Sequence, residues 1–153
     1  MNWAFLGQLG VVLGFALAAT GSALGINAAG KAAAGAWARD AKGGLALRFN
    51  YIIFIGAPIS QTFYAMIVMI QLADKLPLAA TNAGLMLIIG IATGLGELFS
   101  AWGQGLIGAA ACRCLSEGEG KGLAFLLIAI GIIETVGIFT MVFMLMMIPK
   151  ITG

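Results

Sequence analysis

Residues 122–149 are GLAFLLIAIGIIETVGIFTMVFMLMMIP, with a single charged side chain, Glu134. This run is longer than the roughly 20 apolar residues that a helix needs to cross the hydrocarbon core of a bilayer. A helix is expected there because lipid offers no hydrogen-bond partners, so the backbone must satisfy its polar groups within the segment. The stretch therefore predicts a membrane-spanning helix with one carboxyl group near its middle.

The remainder of the chain contains three more apolar runs. Residues 1–30 and 49–73 carry no charge, and residues 76–112 carry one, Glu97. We predict four helices, near residues 3–37, 47–73, 79–114 and 121–148, and call them spans 1 to 4. The predicted fold class is an all-α membrane protein with four transmembrane helices.

The overall composition excludes several classes of protein. Of the 153 residues, 61% are hydrophobic and 9% charged, and the mean hydropathy is +1.06, whereas a soluble domain has about 25% charged residues. A chain this short cannot bury so much apolar surface in a water-soluble fold, which excludes a soluble enzyme. The net charge of +2 excludes a basic nucleic-acid-binding surface, and the absence of histidine removes the commonest ligand for zinc.

The two halves of the chain resemble each other. Residues 21–30 (GSALGINAAG) align with residues 99–108 (FSAWGQGLIG) at an offset of 78, and Gly44-Leu45-Ala46 aligns with Gly122-Leu123-Ala124 at the same offset. We predict two tandem helical hairpins, residues 1–75 and 76–153. The repeat is parallel, because two spans return the chain to the same side of the membrane.

Only the second half carries a carboxylate at the Glu134 position. The register of span 2 on span 4 remains open, since an offset of 75 pairs Glu134 with Ile59 and an offset of 78 pairs it with Gly56. Neither residue is ionisable. We therefore expect one ion site per two hairpins.

The charged residues outside the apolar runs predict the orientation in the membrane, because basic residues of short loops collect on the cytoplasmic side. Those that follow spans 1 and 3 are Lys31, Arg39, Lys42, Arg48, Arg113 and Lys121, and those on the opposite side are Lys75 and Lys150. We therefore expect both charged loops in the cytoplasm and both termini outside.

Spans 1 and 3 are rich in glycine and alanine. Gly21 and Gly25 are four residues apart, as are Gly90 and Gly94. Small residues at this spacing let helix backbones approach closely in lipid. Ordinary dimer packing is one explanation, but confinement to the first helix of each hairpin favours a homo-oligomeric ring with spans 1 and 3 inside and spans 2 and 4 outside.

Glu134 is the first candidate functional residue. An ionised side chain at the middle of a span costs about 2.5–3.5 kcal/mol on the insertion scale. Glu134 is therefore expected to be protonated or to hold a cation. A protonated glutamate that only bonds a neighbouring helix is the structural alternative, and a working ion site is the default hypothesis.

Polar groups on span 2 lie at a similar depth. One helix face carries Ala57, Gln61 and Tyr64, with Ser60 beside it. Pro58 has no backbone N–H, so the carbonyl of Phe54 is expected to lose its usual partner. Span 3 contributes Gln104. An unpaired amide is costly in lipid, so Gln61 and Gln104 either bond between helices or bind a ligand.

Together the repeat, the glycine-rich first helix of each hairpin and the glutamate in the last span resemble the rotor-ring proteolipid (the c or K type) of V-type and A/V-type ATPases, in its duplicated four-helix form. The resemblance covers essentially the whole chain. In sodium-translocating members the ion is held by the glutamate, two glutamines, a hydroxyl and a backbone carbonyl, and a tyrosine braces the glutamate. The matching residues are Glu134, Gln61, Gln104, Ser60, Ala57 (through its carbonyl) and Tyr64.

Two features depart from the family pattern. The family motif is similar to Leu-Pro-Gly-Thr-Gln, and residues 57–61 are Ala-Pro-Ile-Ser-Gln, so serine keeps the hydroxyl while Ile59 alters the fit. Glu97 occupies a position that usually has a small residue, roughly 10 Å from Gln104 along the same helix face. Three roles for Glu97 remain open: a second ion-binding carboxylate, a residue of the access path, or a protonated structural group.

The resemblance implies a rotor-ring protein that carries ions. We expect Na+, because Gln61, Ser60 and Gln104 supply oxygens that a proton site does not need, and the same ring carrying H+ is the alternative. A small proton-coupled exporter is a remoter possibility that requires an aromatic-lined cavity. A purely structural hairpin protein would leave the two glutamines and Glu134 unexplained.

The resemblance also implies the partners. These are identical subunits in the ring, a stator membrane subunit with an arginine, a central-stalk subunit at the cytoplasmic loops, and the lipid bilayer, with no nucleic acid. We expect the plasma membrane of a bacterium or archaeon as the location. The sequence has no Gly-x-x-x-x-Gly-Lys-Ser/Thr pattern, so we expect no catalytic site in this chain and nucleotide hydrolysis in partner subunits.

Overall fold

The computed structural model describes residues 3–153. The helices are α1 (Ala4–Lys42), α2 (Tyr51–Gly56), α3 (Ile59–Ala73), α4 (Ala83–Glu117) and α5 (Leu123–Met147), with 3-10 turns at Leu76–Leu78 and Ile148–Lys150. Span 1 is α1, span 2 is α2 with α3, span 3 is α4 and span 4 is α5. All four are long and apolar enough to cross a membrane, which confirms the predicted fold class. Residues 1 and 2 of the predicted first hairpin lie outside the described residues.

Spans 1 and 3 have boundaries that differ from the predicted ones. Span 1 continues to Lys42, because Arg39 and Lys42 in its last turn stabilise the carbonyl end of the helix. Span 3 begins only at Ala83, because Pro77 lies in the 3-10 turn before it. At 1.5 Å per residue, the 39 residues of α1 extend about 58 Å, well beyond a hydrocarbon core of about 30 Å.

Span 2 is bent rather than continuous. The sequence predicted one helix over residues 47–73, but α2 ends at Gly56 and α3 starts at Ile59. Pro58 explains the break, because it has no N–H and its ring clashes with the preceding turn. The Pro58 carbonyl accepts a hydrogen bond of 2.6 Å from the Ser22 hydroxyl of span 1. The Phe54 carbonyl, which the sequence analysis expected to be free, faces Gly108 of span 3.

Spans 1 and 3 pack backbone to backbone. A methyl group added to Gly90 would overlap the carbonyl of Gly10, and one added to Gly105 would overlap Gly25. Only glycine permits this approach, as expected for small residues in lipid-embedded helices. The tightest packing therefore joins the two predicted hairpins to each other. Spans 2 and 4 lie on this pair, and the placement of spans 1 and 3 inside a ring stays a prediction.

Both charged loops lie at one end of the bundle. Asp40, only 1% exposed, accepts hydrogen bonds from Arg48 at 2.7 Å, Tyr51 at 2.9 Å and Ser116 at 3.1 Å. This buried group ties the first loop to the end of span 3. The shared end agrees with two loops on the same side of a membrane, while the cytoplasmic orientation stays a prediction.

Two equivalent hydrogen bonds determine the register of the repeat. Ser22 donates to the Pro58 carbonyl, and Ser100 donates to the Ile133 carbonyl at 2.9 Å. The serines are 78 residues apart, but their acceptors are 75 residues apart. The register of span 2 on span 4 is therefore 75, and Glu134 is equivalent to Ile59. The alternative pairing with Gly56 is wrong.

Candidate ion-binding site

Glu134 is bonded to span 2. It lies half-buried on α5, and its Oε1 accepts a hydrogen bond of 2.9 Å from the Tyr64 hydroxyl of α3. The two residues are 70 positions apart in the sequence and belong to different hairpins. A hydroxyl that donates to this oxygen stabilises a negatively charged carboxylate and orients the side chain. The structure thus brings together two of the predicted site residues.

A short chain of hydrogen bonds follows the bend in span 2. The Gln61 amide nitrogen donates to the Ser60 hydroxyl oxygen at 3.3 Å, and the Ser60 hydroxyl donates to the Ala57 carbonyl at 2.9 Å. The Ala57 carbonyl also accepts the backbone N–H of Ser60 at 3.3 Å. Three more predicted site residues are therefore adjacent, and the hydroxyl and carbonyl oxygens are already engaged with each other.

Glu97 lies against Gln61, at Gly137 of span 4. Glu97 and Gln61 are both fully buried. A methyl group added to Gly137 would overlap Gln61 Oε1 and lie 2.5 Å from Glu97 Oε2, so both oxygens converge on the same point of the α5 backbone. Three spans meet here, each contributing one residue. Glu97 is thus a member of the polar cluster around Gln61.

Gln104 is buried without a hydrogen bond. Its side chain is 0% exposed, and within residues 3–153 neither its amide nitrogen nor its oxygen has a hydrogen-bond partner. A buried amide in this state costs free energy, which indicates a missing ligand. In the described part of the chain, no hydrogen bond joins Gln104 to Glu134 or Gln61. Its role as an ion ligand stays a prediction.

Two residues next to this cluster, Gly137 and Thr93, were not predicted from the sequence. Gly137 allows Gln61 and Glu97 to approach α5. Thr93 lies one turn before Glu97 and is 1% exposed, and its hydroxyl has no hydrogen-bond partner among the residues that the structure describes. The spacing of Thr93, Glu97 and Gln104 could have revealed a polar face on span 3, since i, i+4 and i+11 lie on one side of a helix.

The arrangement is rich in oxygen ligands. Among residues 3–153, no three histidine, cysteine, aspartate or glutamate side chains are grouped to hold a metal ion. The Tyr64 hydroxyl contacts Glu134, the Ser60 hydroxyl and the Ala57 carbonyl lie on the same span as Tyr64, and the Gln61 amide and the Glu97 carboxyl group meet at Gly137. Oxygen ligands of this kind suit a hard cation.

Comparison with known proteins gives one family. The model of the ATP synthase C-subunit family matches the chain twice, at residues 9–72 and at residues 87–147. Together the two matches cover most of the chain, one in each predicted hairpin. The first contains Gln61 and Tyr64, and the second contains Glu97 and Glu134. A search of curated proteins found no match.

Proposed function

The chain belongs to the ATP synthase C-subunit family, and from this premise we propose that it carries Na+ on Glu134 in the rotor ring of a V-type rotary ATPase. It is a duplicated, four-helix integral membrane protein of a family that forms oligomeric rings. The observation that carries the proposal is the Tyr64–Glu134 hydrogen bond of 2.9 Å, made by the span that also presents the half-buried Ser60 hydroxyl and Ala57 carbonyl. It gives a mid-membrane carboxylate an ordered position at the surface of the protomer.

The location of Glu134 suits carriage through lipid. An ionised glutamate there costs about 2.5–3.5 kcal/mol or more, whereas a glutamate paired with a cation is neutral overall. Glu134 is half-buried, and Ile130 and Gly137 are the buried residues of α5 within the described chain. A loaded site on this exposed helix can turn past lipid. A stator arginine would release the ion by pairing with the carboxylate.

The sodium ligands of the proposal are Glu134, Gln61, Gln104, Ser60 and the Ala57 carbonyl, with Tyr64 bracing the glutamate. The Ser60 oxygen can join the site while its hydroxyl donates to the Ala57 carbonyl, because it accepts one hydrogen bond, from Gln61, and retains a second lone pair. The unpartnered oxygen and nitrogen of Gln104 in the described structure support its readiness for a ligand.

A proton is the second candidate cargo, and one observation favours it. In the part of the chain that the structure describes, Tyr64 is the single hydrogen-bond partner of Glu134, and Gln61 Oε1 lies at Gly137 together with Glu97 Oε2. A proton needs only the carboxyl group, while Na+ needs several oxygens. Family membership supports either cargo over a proton-coupled exporter.

The proposal extends to partners and energetics. Glu134 has Ile59 at its repeat-equivalent position, so each protomer of two hairpins has one such carrier. Halving the carriers lowers the number of ions moved per turn, which suits a pump driven by ATP against a gradient. The nucleotide site belongs to partner subunits, and the loops around Arg48 and Glu119 would contact the central stalk.

Carbodiimide labelling of purified rings tests the cargo. Dicyclohexylcarbodiimide attacks protonated carboxyl groups in apolar surroundings, so it should modify Glu134. Sodium should slow this modification at fixed pH, because bound Na+ excludes the proton that the reagent requires. Gln61→Ala and Gln104→Ala should each raise the Na+ concentration that gives half-protection by about tenfold, the equivalent of one charged hydrogen bond.

The same experiment identifies the alternative. If modification of Glu134 follows pH but is indifferent to sodium up to high millimolar concentrations, the carried ion is a proton. If only Glu97 is modified and the Glu134→Gln variant still transports ions, the carrier is Glu97 of span 3.

A further inference from the structure

A second group of oxygens lies between spans 2 and 3. Gln61 Oε1 and Glu97 Oε2 both lie at Gly137, and Thr93 lies one turn before Glu97 on α4. Gln61 Oε1, the two carboxyl oxygens of Glu97 and the Thr93 hydroxyl are called the Glu97 cluster below. Their side chains are at most 1% exposed. None of the four atoms has a hydrogen-bond partner anywhere in residues 3–153. Buried polar groups are almost always paired, so a group of four unpaired oxygens indicates a missing ligand.

The orientation of Gln61 is determined by its neighbours. The Ser60 hydroxyl donates its proton to the Ala57 carbonyl, so the Ser60 oxygen is left to accept from the Gln61 amide nitrogen. That bond directs the nitrogen to Ser60 and leaves the amide oxygen at Gly137, where Glu97 Oε2 also lies. Two acceptors, an amide oxygen and a carboxylate, therefore lie together at Gly137. Acceptors in this arrangement repel unless a cation or a donor lies between them.

A single proton does not account for all of these oxygens. Placed on Glu97, it would donate one hydrogen bond to Gln61 and leave the second carboxyl oxygen without a partner. A small metal cation binds several oxygens at once, and its positive charge offsets the cost of a buried carboxylate. The hydrocarbon side of Thr93 packs on Gly14 of span 1. A methyl group added to Gly14 would lie 3.4 Å from Thr93 Cβ and 3.5 Å from Thr93 Cγ2.

We propose that Glu97, Gln61 and Thr93 form a second sodium site, which shares the Gln61 oxygen with the carrier site at Glu134. Each carboxylate then has its own cation, so the loaded protomer has no net charge at this depth. The Gln61 oxygen has two lone pairs and contacts both ions. The repeat-equivalent positions of Glu97 and Thr93 are Ala19 and Phe15, so the first hairpin cannot form this site.

Site-resolved chemistry on wild-type rings tests the proposal without any substitution. Purified rings are equilibrated with radioactive sodium to count bound ions, and carbodiimide adducts at Glu97 and Glu134 are measured separately by peptide mass spectrometry. We expect two Na+ per protomer and protection of both carboxyl groups by sodium. One bound Na+ per protomer, with modification of Glu97 indifferent to sodium, overturns the proposal and identifies Glu97 as a permanently protonated structural group.

Substitutions at Glu97 and Gly137 show which residues bind each of the two sodium ions. Glu97→Gln has nearly the same shape and should reduce the count from two Na+ to one while sodium still protects Glu134. Gly137→Ala should weaken the Glu97 site at least about tenfold, because its methyl group overlaps Gln61 Oε1. Gly131→Ala on the same helix is the matched control, since nothing in the described chain lies within 4 Å of the added methyl group.

The results also separate this inference from the proposed function. If sodium protects Glu97 but not Glu134, the second site stands and the carrier at Glu134 transports protons. If sodium protects Glu134 but not Glu97, the proposed function stands and the second site is wrong. A Glu97→Gln ring that still binds two Na+ contradicts the assignment to Glu97.

Discussion

The two hairpins share a scaffold and differ in chemistry. In the first, Ser22 of span 1 donates to the Pro58 carbonyl of span 2; in the second, Ser100 of span 3 donates to the Ile133 carbonyl of span 4. One residue further on, the first hairpin has Ile59 and the second has Glu134. The same helix contact thus supports an exposed isoleucine in one copy and a carboxylate in the other.

Two polar side chains on span 2 show the reverse distribution, because they occur in the first hairpin and their equivalents in the second are apolar. Gln61 and Tyr64 of the first hairpin have Val136 and Phe139 as their equivalents in the second. Span 2 of the first hairpin therefore supplies the amide and the hydroxyl, and span 4 of the second hairpin supplies the carboxylate. The proposed site thus combines residues of two unlike hairpins, and we expect one carrier in each protomer.

The largest expected effect is the loss of the carboxylate itself. Glu134→Gln should reduce ion transport to background, because a neutral amide can neither release a proton nor balance the charge of Na+. Ile59→Ala at the equivalent position should leave transport within about twofold, since Ile59 is 47% exposed and carries no polar group. Transport assays in liposomes containing the whole ATPase measure both. Equal losses in the two variants would contradict the asymmetry between the hairpins.

The equivalent glycines Gly25 and Gly103 should differ in their tolerance of a larger side chain. A Cβ at Gly25 would meet the backbone carbonyl of Ala101 and lie 2.9 Å from Pro58 Cβ, whereas one at Gly103 would lie 3.0 Å from the Ile133 side chain. A side chain can move and a helix backbone cannot. Gly25→Leu should therefore prevent ring assembly, and Gly103→Leu should destabilise the ring by about 1–3 kcal/mol.

Size-exclusion chromatography with thermal denaturation of the ring distinguishes these two outcomes. Normal rings of wild-type stability from both glycine variants would contradict the close packing of spans 1 and 3.

The smallest expected effect concerns the equivalent serine bonds. Ser100→Ala should lower the free energy of unfolding by about 1 kcal/mol, the net value of one hydrogen bond. Ser22→Ala should cost about 2 kcal/mol, because Ser22 also accepts a hydrogen bond of 2.8 Å from Thr62 and its loss leaves two buried groups unpaired. Thermal denaturation of the purified rings measures the order. A larger loss at Ser100 would contradict the role of Ser22 in fastening the bend of span 2.

The site was only partly predictable. Glu134 and Tyr64 could be identified in advance, and the structure joins them by a hydrogen bond. The association of Glu97 with Gln61 could not, because it depends on the azimuths of spans 2 and 3 and on the absence of a side chain at Gly137. The register of the repeat could not be predicted from the sequence either. Offsets of 75 and 78 differ by three residues, which is nearly one helical turn, so the two pairings differ mainly in depth along the helix.

The amino-acid sequence by itself determined the membrane class, the four spans and the duplication, because these depend on local apolarity and on residue order. It also determined that a carboxyl group lies in the last span. Only the tertiary structure decided which helix backbones touch, where span 2 bends, and which polar groups share a space. Those features depend on contacts between residues far apart in the chain, such as Tyr64 with Glu134 and Gly25 with Gly105. Hydropathy and spacing measure each helix alone, whereas an ion site requires the mutual depth and rotation of three helices.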